Sequence, residues 1–180
     1  MSEILDALYV GDEARVAALL AEDPDLDVFE ASALGRTERV AALLEADPEL
    51  ARAWADDGFT PLHLAAFFRH PETARLLVER GADVAAVARN EMRVEPLHSA
   101  VAARQEETSA LLLERGADAN ARQQGGFMPL HGAAQNGDEV LVELLLRHGA
   151  DREATAEDGR NAADFARAAG HEELAGRLAP

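Results

Sequence analysis

The chain of 180 residues is 48% hydrophobic but only 4% aromatic, so any core must be built from Leu, Ala and Val, which suits packed helices better than sheets. Its 34 acidic and 17 basic residues leave a net charge of -17, which repels phosphate backbones and anionic membranes and sets nucleic-acid binding aside. Every basic residue is Arg and there is no Cys, which removes lysine catalysis, cysteine nucleophiles, thiolate metal sites and disulfides.

The start, Met1-Ser2-Glu3, lacks the basic region of a signal peptide, and no apolar run approaches the roughly 18 residues of a membrane-spanning helix. The expectation is a cytoplasmic protein with no membrane partner. The first 50 residues hold 13 acidic residues and 3 Arg, making this the most acidic end.

In chain order, the first predicted elements are two helix pairs. Ala7 to Gly11, Val16 and Leu19-Leu20 are answered 24 residues later by Ala31 to Gly35, Val40 and Leu43-Leu44. They end in Asp23-Pro24-Asp25-Leu26 and Asp47-Pro48-Glu49-Leu50, where Pro stops a helix.

Next, Thr60-Pro61-Leu62-His63 recurs as Glu95-Pro96-Leu97-His98 and Met128-Pro129-Leu130-His131, at Pro-to-Pro spacings of 35 and 33. Thr60 predicts a helix N-cap with Pro61 at the first helical position. Each copy leads through a second, leucine-rich helix to Gly81-Ala82-Asp83, Gly116-Ala117-Asp118 or Gly149-Ala150-Asp151, whose Gly predicts the helix stop. A degraded copy, Asn161-Ala162-Ala163-Asp164, follows 33 residues after the third.

These elements, with Asp57-Gly58-Phe59-Thr60-Pro61-Leu62-His63-Leu64-Ala65-Ala66, Gly116-Ala117-Asp118-Ala119-Asn120-Ala121, Gly159 and Gly170-His171 in fixed register, resemble the ankyrin repeat and in particular small stand-alone bacterial ankyrin proteins. The resemblance implies an all-α solenoid of stacked antiparallel helix pairs joined by extended turns, with divergent N-terminal units and a C-terminal cap. One domain over 1–180 is expected, with units of about 3–26, 27–54, 55–87, 90–122 and 123–155 and a cap over 156–180. Arg167, Glu172, Glu173 and Arg177 are expected on the cap's outer face, and two extra residues near Ala88-Arg89, with Arg93 at the turn-Gly position, make the third-to-fourth junction either specialised or irregular.

His63, His98 and His131 occupy equivalent positions. Helix spacings of roughly 8 to 10 Å keep them from sharing one metal, and the resemblance implies that they bond turn backbone instead. His70, His148 and His171 read as surface or turn residues. No carboxylate pair stands out for catalysis: Asp83, Asp118 and Asp151 belong to the repeat, and Glu72, Glu106, Glu107 and Glu139 read as solvated. Gly125-Gly126 lacks the spacing and Lys of a phosphate loop. No enzymatic activity, metal or cofactor is expected.

In ankyrin proteins the partner meets the turn tips and first helices on a concave face. By resemblance, that face here is Asp56, Asp57, Phe59, Phe67, Phe68, Glu91, Met92, Val94, Gln124, Phe127, Gln135, Asn136, Glu157, Asp158 and Arg160. Phe59, Phe67, Phe68 and Phe127 fall on nominally exposed positions, either as a binding patch or as packing on neighbouring turns; Trp54 is undecided. The expected function is protein–protein interaction by a monomer. The alternative is an acidic inhibitor or immunity-like regulator masking a basic site on its partner.

Overall fold

A computed structural model describes residues 2–179. Among these residues every regular element is helical: twelve α-helices form antiparallel pairs, joined by turns that include two short 3-10 segments. The pairs are α1 (Glu3–Tyr9) with α2 (Glu13–Ala21), α3 (Val28–Ala33) with α4 (Thr37–Ala46), and α5 (Pro61–Phe67) with α6 (Pro71–Glu79). They continue with α7 (Pro96–Ala102) and α8 (Glu106–Glu114), α9 (Pro129–Asn136) and α10 (Glu139–Arg147), and α11 (Ala162–Ala168) and α12 (Glu172–Leu178). The chain divides into two compact units, one ending at Asp83 and one beginning at Val84.

In the first unit, α1, α3 and α5 lie side by side, and α4 lies beside α6. The helix starts are set by local side chains: Ser2 accepts from the Leu5 amide, Asp12 from that of Arg15, and Asp27 and Glu30 form a reciprocal capping box. Small residues allow the close approach, since Ala31, Ala33, Ala65, Ala66 and Ala74 are fully buried with Leu44, Leu62, Leu64 and Leu77. Helix α2 differs from its expected counterparts because it buries no residue; Val16, Leu19 and Leu20 are half-buried. Beyond α4, the Pro48 stop becomes a 3-10 turn over Pro48–Arg52, since the fixed φ of Pro suits a first helical position and Asp47 caps the Glu49 amide at 3.1 Å.

In the second unit, α7, α9 and α11 lie side by side, and α8 contacts α10. Leu97, Leu112, Leu130, Leu141 and Leu145 are its fully buried large residues, with Met128. At the end of α8, Gly116 adopts φ 91°, a left-handed conformation that costs a side-chain-bearing residue about 1–2 kcal/mol, and so stops the helix as its sequence position predicts. The cap differs in one respect. Arg177, expected on the outer face, reaches back to Glu139 and Glu143 of α10 at 2.5 and 2.8 Å, while Arg167 pairs with Asp164 of its own helix.

Candidate protein-binding site

Helices α5, α9 and α11 are each preceded by a finger closed by the same pair of hydrogen bonds. The Ala55 amide donates to the Phe59 carbonyl at 2.8 Å and Gly58 to Ala55 at 2.9 Å. The pattern repeats with Gln123 to Phe127 and with Ala156 to Arg160, both at 2.9 Å. In the remaining finger Ala88 donates to Val94 at 2.7 Å, so its loop is longer by two residues, which accounts for the wider Pro61–Pro96 spacing. Arg93 there takes φ 52°, as Gly58, Gly126 and Gly159 do in theirs with φ of 84°, 69° and 85°. The second unit's fingers also bond one another, Gln124 donating to Met92 and Glu157 to Gly125.

The three histidines rivet this framework. Nδ1 of His98 accepts from the Glu95 amide at 3.1 Å, so the proton sits on Nε2, which donates to the Ala121 carbonyl at 3.1 Å. His131 repeats both bonds, to Met128 and Ala154. His63 accepts from the Thr60 amide at 3.3 Å. Burial favours the neutral ring and lowers His98 to about 4, and it lowers His131 as well. One ring thus joins its own helix start to a turn 23 residues on.

Ankyrin repeats (3 copies) is the family description matched, over residues 6–88, 28–123 and 97–179. The chain belongs to the ankyrin-repeat family. No curated protein matches it. Ankyrin repeats are generally protein–protein interaction modules, so the surfaces of interest in this ankyrin protein are its fingers and inner helices.

The first unit gathers five of the eight aromatic residues on one face. Tyr9, Phe29, Phe59 and Phe68 pack partly buried against Leu5, Ala33 and Leu64, with Phe67 beside them. Phe67 and Phe68 meet edge to face at 5.2 Å, and Tyr9 lies 5.4 Å from Phe68 and 6.4 Å from Phe67. Phe67 is 44% exposed, whereas Phe59 and Phe68 are half-buried. Phe68 fills the cluster and Phe67 lies at its exposed edge. Trp54 is half-buried, 6.4 Å from His63.

Carboxylates are fixed around this face. Asp57 accepts from the Tyr9 hydroxyl at 3.0 Å and from the Phe59 amide at 3.1 Å, and Asp56 beside it is exposed. Burial, with Asp57 adjacent, pushes the Tyr9 phenol well above its usual range. Asp27 accepts from the Phe29 and Glu30 amides, both at 2.8 Å. Tyr9 and Phe29 were not among the expected contact residues. A signal for Tyr9 existed, because it follows its N-cap Ser2 at the same offset as Phe67 follows Thr60.

In the second unit Phe127 is half-buried, meeting Phe165 edge to face at 5.0 Å and His131 at 5.4 Å. The Arg160 guanidinium lies 4.2 Å over the Phe165 ring and is held by Asp158 at 2.6 Å. Glu91, Met92, Gln124, Gln135, Glu157, Asp158 and Arg160 are exposed. Asn136 is half-buried and donates to the Val101 carbonyl at 3.2 Å. Val94, expected at an exposed position, is buried at 9% exposure, closing the finger that is longer by two residues.

Two of the histidines read as surface or turn residues stand at helix N-caps and pack on a neighbouring repeat. The His70 ring lies over Gly35 with Nε2 donating to the Ala33 carbonyl at 2.9 Å, and the His171 ring lies against Gly137; both are half-buried. A cleft of about 570 Å³ opens among Pro24 to Leu26 and Gly35 to Arg39 and shares no residue with the aromatic face. Among the described residues no group of His, Asp and Glu converges as a metal site would, and no helix is long and apolar enough to cross a membrane.

Proposed function

We propose that this ankyrin protein is a non-catalytic, monomeric cytoplasmic binding module whose partner docks on the aromatic face of the first unit. The observation that carries the reading is Phe67, a large apolar ring left 44% exposed at the edge of a cluster whose other aromatics are half-buried. Buried aromatics explain themselves by packing; an exposed one rimmed by carboxylates is what interface anchors look like before they are covered. Asp56, Asp57, Phe59 and Phe68 form the surround of that anchor in this reading.

The test is capture from a lysate of the source organism, comparing the wild type with a Phe67→Ser variant shown to be folded by circular dichroism. Loss of a specific partner from the variant alone is the expected result. Retention of the same partners by both proteins overturns the reading and turns attention to the second unit's fingers.

A further inference from the structure

Helix α2 is built like α4, its counterpart 24 residues on, yet it is covered less. Because the two segments place the same kinds of residue at corresponding positions, their exposure compares pair by pair. Val40 and Leu44 of α4 are 0% and 2% exposed, whereas Val16 and Leu20 of α2 are only half-buried. Ala41 is half-buried and Ala17 exposed, and Leu34 after α3 is half-buried while Val10 after α1 is 78% exposed. Among the described residues no large hydrophobic side chain is more exposed than Val10.

A neighbouring helix supplies the cover that α2 lacks. Helix α4 lies beside α6, while α2 packs against α1 and buries no residue. Burying the additional apolar surface of Val10, Val16, Ala17 and Leu20 is favourable, at about 25 cal/mol per Å².

We infer that this flank of α2 docks a basic amphipathic helix of another protein, seated beside α2 as α6 is beside α4. The site is separate from the aromatic face. Charge selects the occupant. Residues 1–26 hold seven acidic residues and one basic residue, Arg15, which is paired with Glu3 at 2.9 Å, so their net charge is -6. That field repels anionic lipid and a second copy of this chain, whose first helices carry the same charge, and draws in lysine and arginine. Glu13 opens α2, Glu22 and Asp23 follow it, and all three are exposed, so carboxylates stand at both ends of the apolar flank. Local hydrogen bonding selects the conformation. An extended segment would lay unpaired backbone groups against valine, alanine and leucine, whereas a helix satisfies its own and offers apolar residues at three- and four-residue intervals.

The experiment uses the full chain and three synthetic peptides of equal length: leucine on one helical face with lysine and arginine on the other, the same leucine face with glutamate, and the same cations with serine in place of leucine. Fluorescence anisotropy reads binding, and methyl chemical shifts of Val10, Val16 and Leu20 report its place. The leucine–cation peptide is expected to bind at least about tenfold more tightly than either of the others and to weaken with salt. Two substitutions that leave the charge unchanged, Val10→Ser and, separately, Ala17→Gln, should each raise Kd about fivefold or more, with circular dichroism confirming the fold. Phe67→Ser should leave Kd unchanged.

Equal binding of the glutamate peptide overturns the basic partner, and equal binding of the serine peptide overturns the apolar contact. Failure of all three peptides to bind, or binding that is lost in Phe67→Ser and kept in Val10→Ser and Ala17→Gln, overturns the site. Dimerisation of the chain alone, seen by sedimentation and abolished by Ala17→Gln, overturns the partner in favour of a second copy. Lysate capture that depends on Phe67 tests the aromatic face by itself, so the two surfaces stand or fall separately.

Discussion

The Tyr9 hydroxyl donates a 3.0 Å hydrogen bond to Asp57 Oδ2, joining the first helix to a finger 48 positions along the chain. It positions the ring that meets Phe67 and Phe68 and fixes the carboxylate beside them. Tyr9 is the chain's one tyrosine, so its ionisation can be followed by ultraviolet absorbance without interference. The phenol is expected to stay protonated well above the ordinary midpoint of about 10. Asp57→Asn should bring the midpoint down, though burial, the larger cause, keeps it above that of free tyrosine. Tyr9→Phe should cost about 1 kcal/mol in urea unfolding.

The two adjacent phenylalanines should respond differently to truncation. Phe68→Ser removes a half-buried ring from the cluster and should destabilise by about 2 kcal/mol, while Phe67→Ser, at an exposed site, should cost about 0.5 kcal/mol. Urea midpoints measured side by side check this; equal losses would show that Phe67 is packing too.

Glycine positions that look alike in sequence should differ in tolerance. A Cβ on Gly35, at φ 65°, would come 2.7 Å from Cγ of His70, whereas one on Gly11, at φ 70°, meets nothing within 4 Å. Gly11→Ala should therefore cost only the backbone strain of about 1 kcal/mol, and Gly35→Ala about 1–2 kcal/mol more, because the His70 ring must leave its bond to Ala33. Thermal denaturation of the two variants gives the comparison.

Arg104 occupies the same left-handed loop position with φ 56°. Its side chain is exposed, so Arg104→Gly removes strain without opening a cavity. A gain of about 0.5–1 kcal/mol is expected once the greater freedom of glycine in the unfolded chain is counted, seen as a higher midpoint in urea.

His98 should make stability depend on pH. Its folded pKa of about 4 lies below the unfolded value of 6.5, so between those values the unfolded chain binds more protons and stability falls as pH falls. The loss is complete below the folded value and approaches about 3 kcal/mol from this residue. Comparing wild type with His98→Gln at pH 7 and pH 4.5 isolates it from the carboxylates the two proteins share. The variant should be less stable at pH 7 and show the flatter pH dependence.

Much of the fold was legible because its determinants are local. Thr60 with Pro61 starts a helix and Gly116 stops one through their own backbone preferences, and the recurrence of both at nearly constant spacing carries the family assignment. The candidate site was legible only in part. Phe67 could be placed on an exposed inner-helix position from the repeat register, and Val94 was misplaced by the same register because its finger is two residues longer.

By itself, then, the sequence determined what depends on one turn or one repeat: caps, helix pairs, the order of units and the distribution of charge. Tertiary structure decided what depends on residues far apart in the chain. Tyr9 joins the aromatic face because α1, α3 and α5 lie side by side, Phe127 meets the Phe165 ring, and His70 and His171 close over glycines of the preceding repeat. Repeat periodicity fixes where a side chain stands on its own helix; which neighbour it meets is set by how adjacent repeats pack.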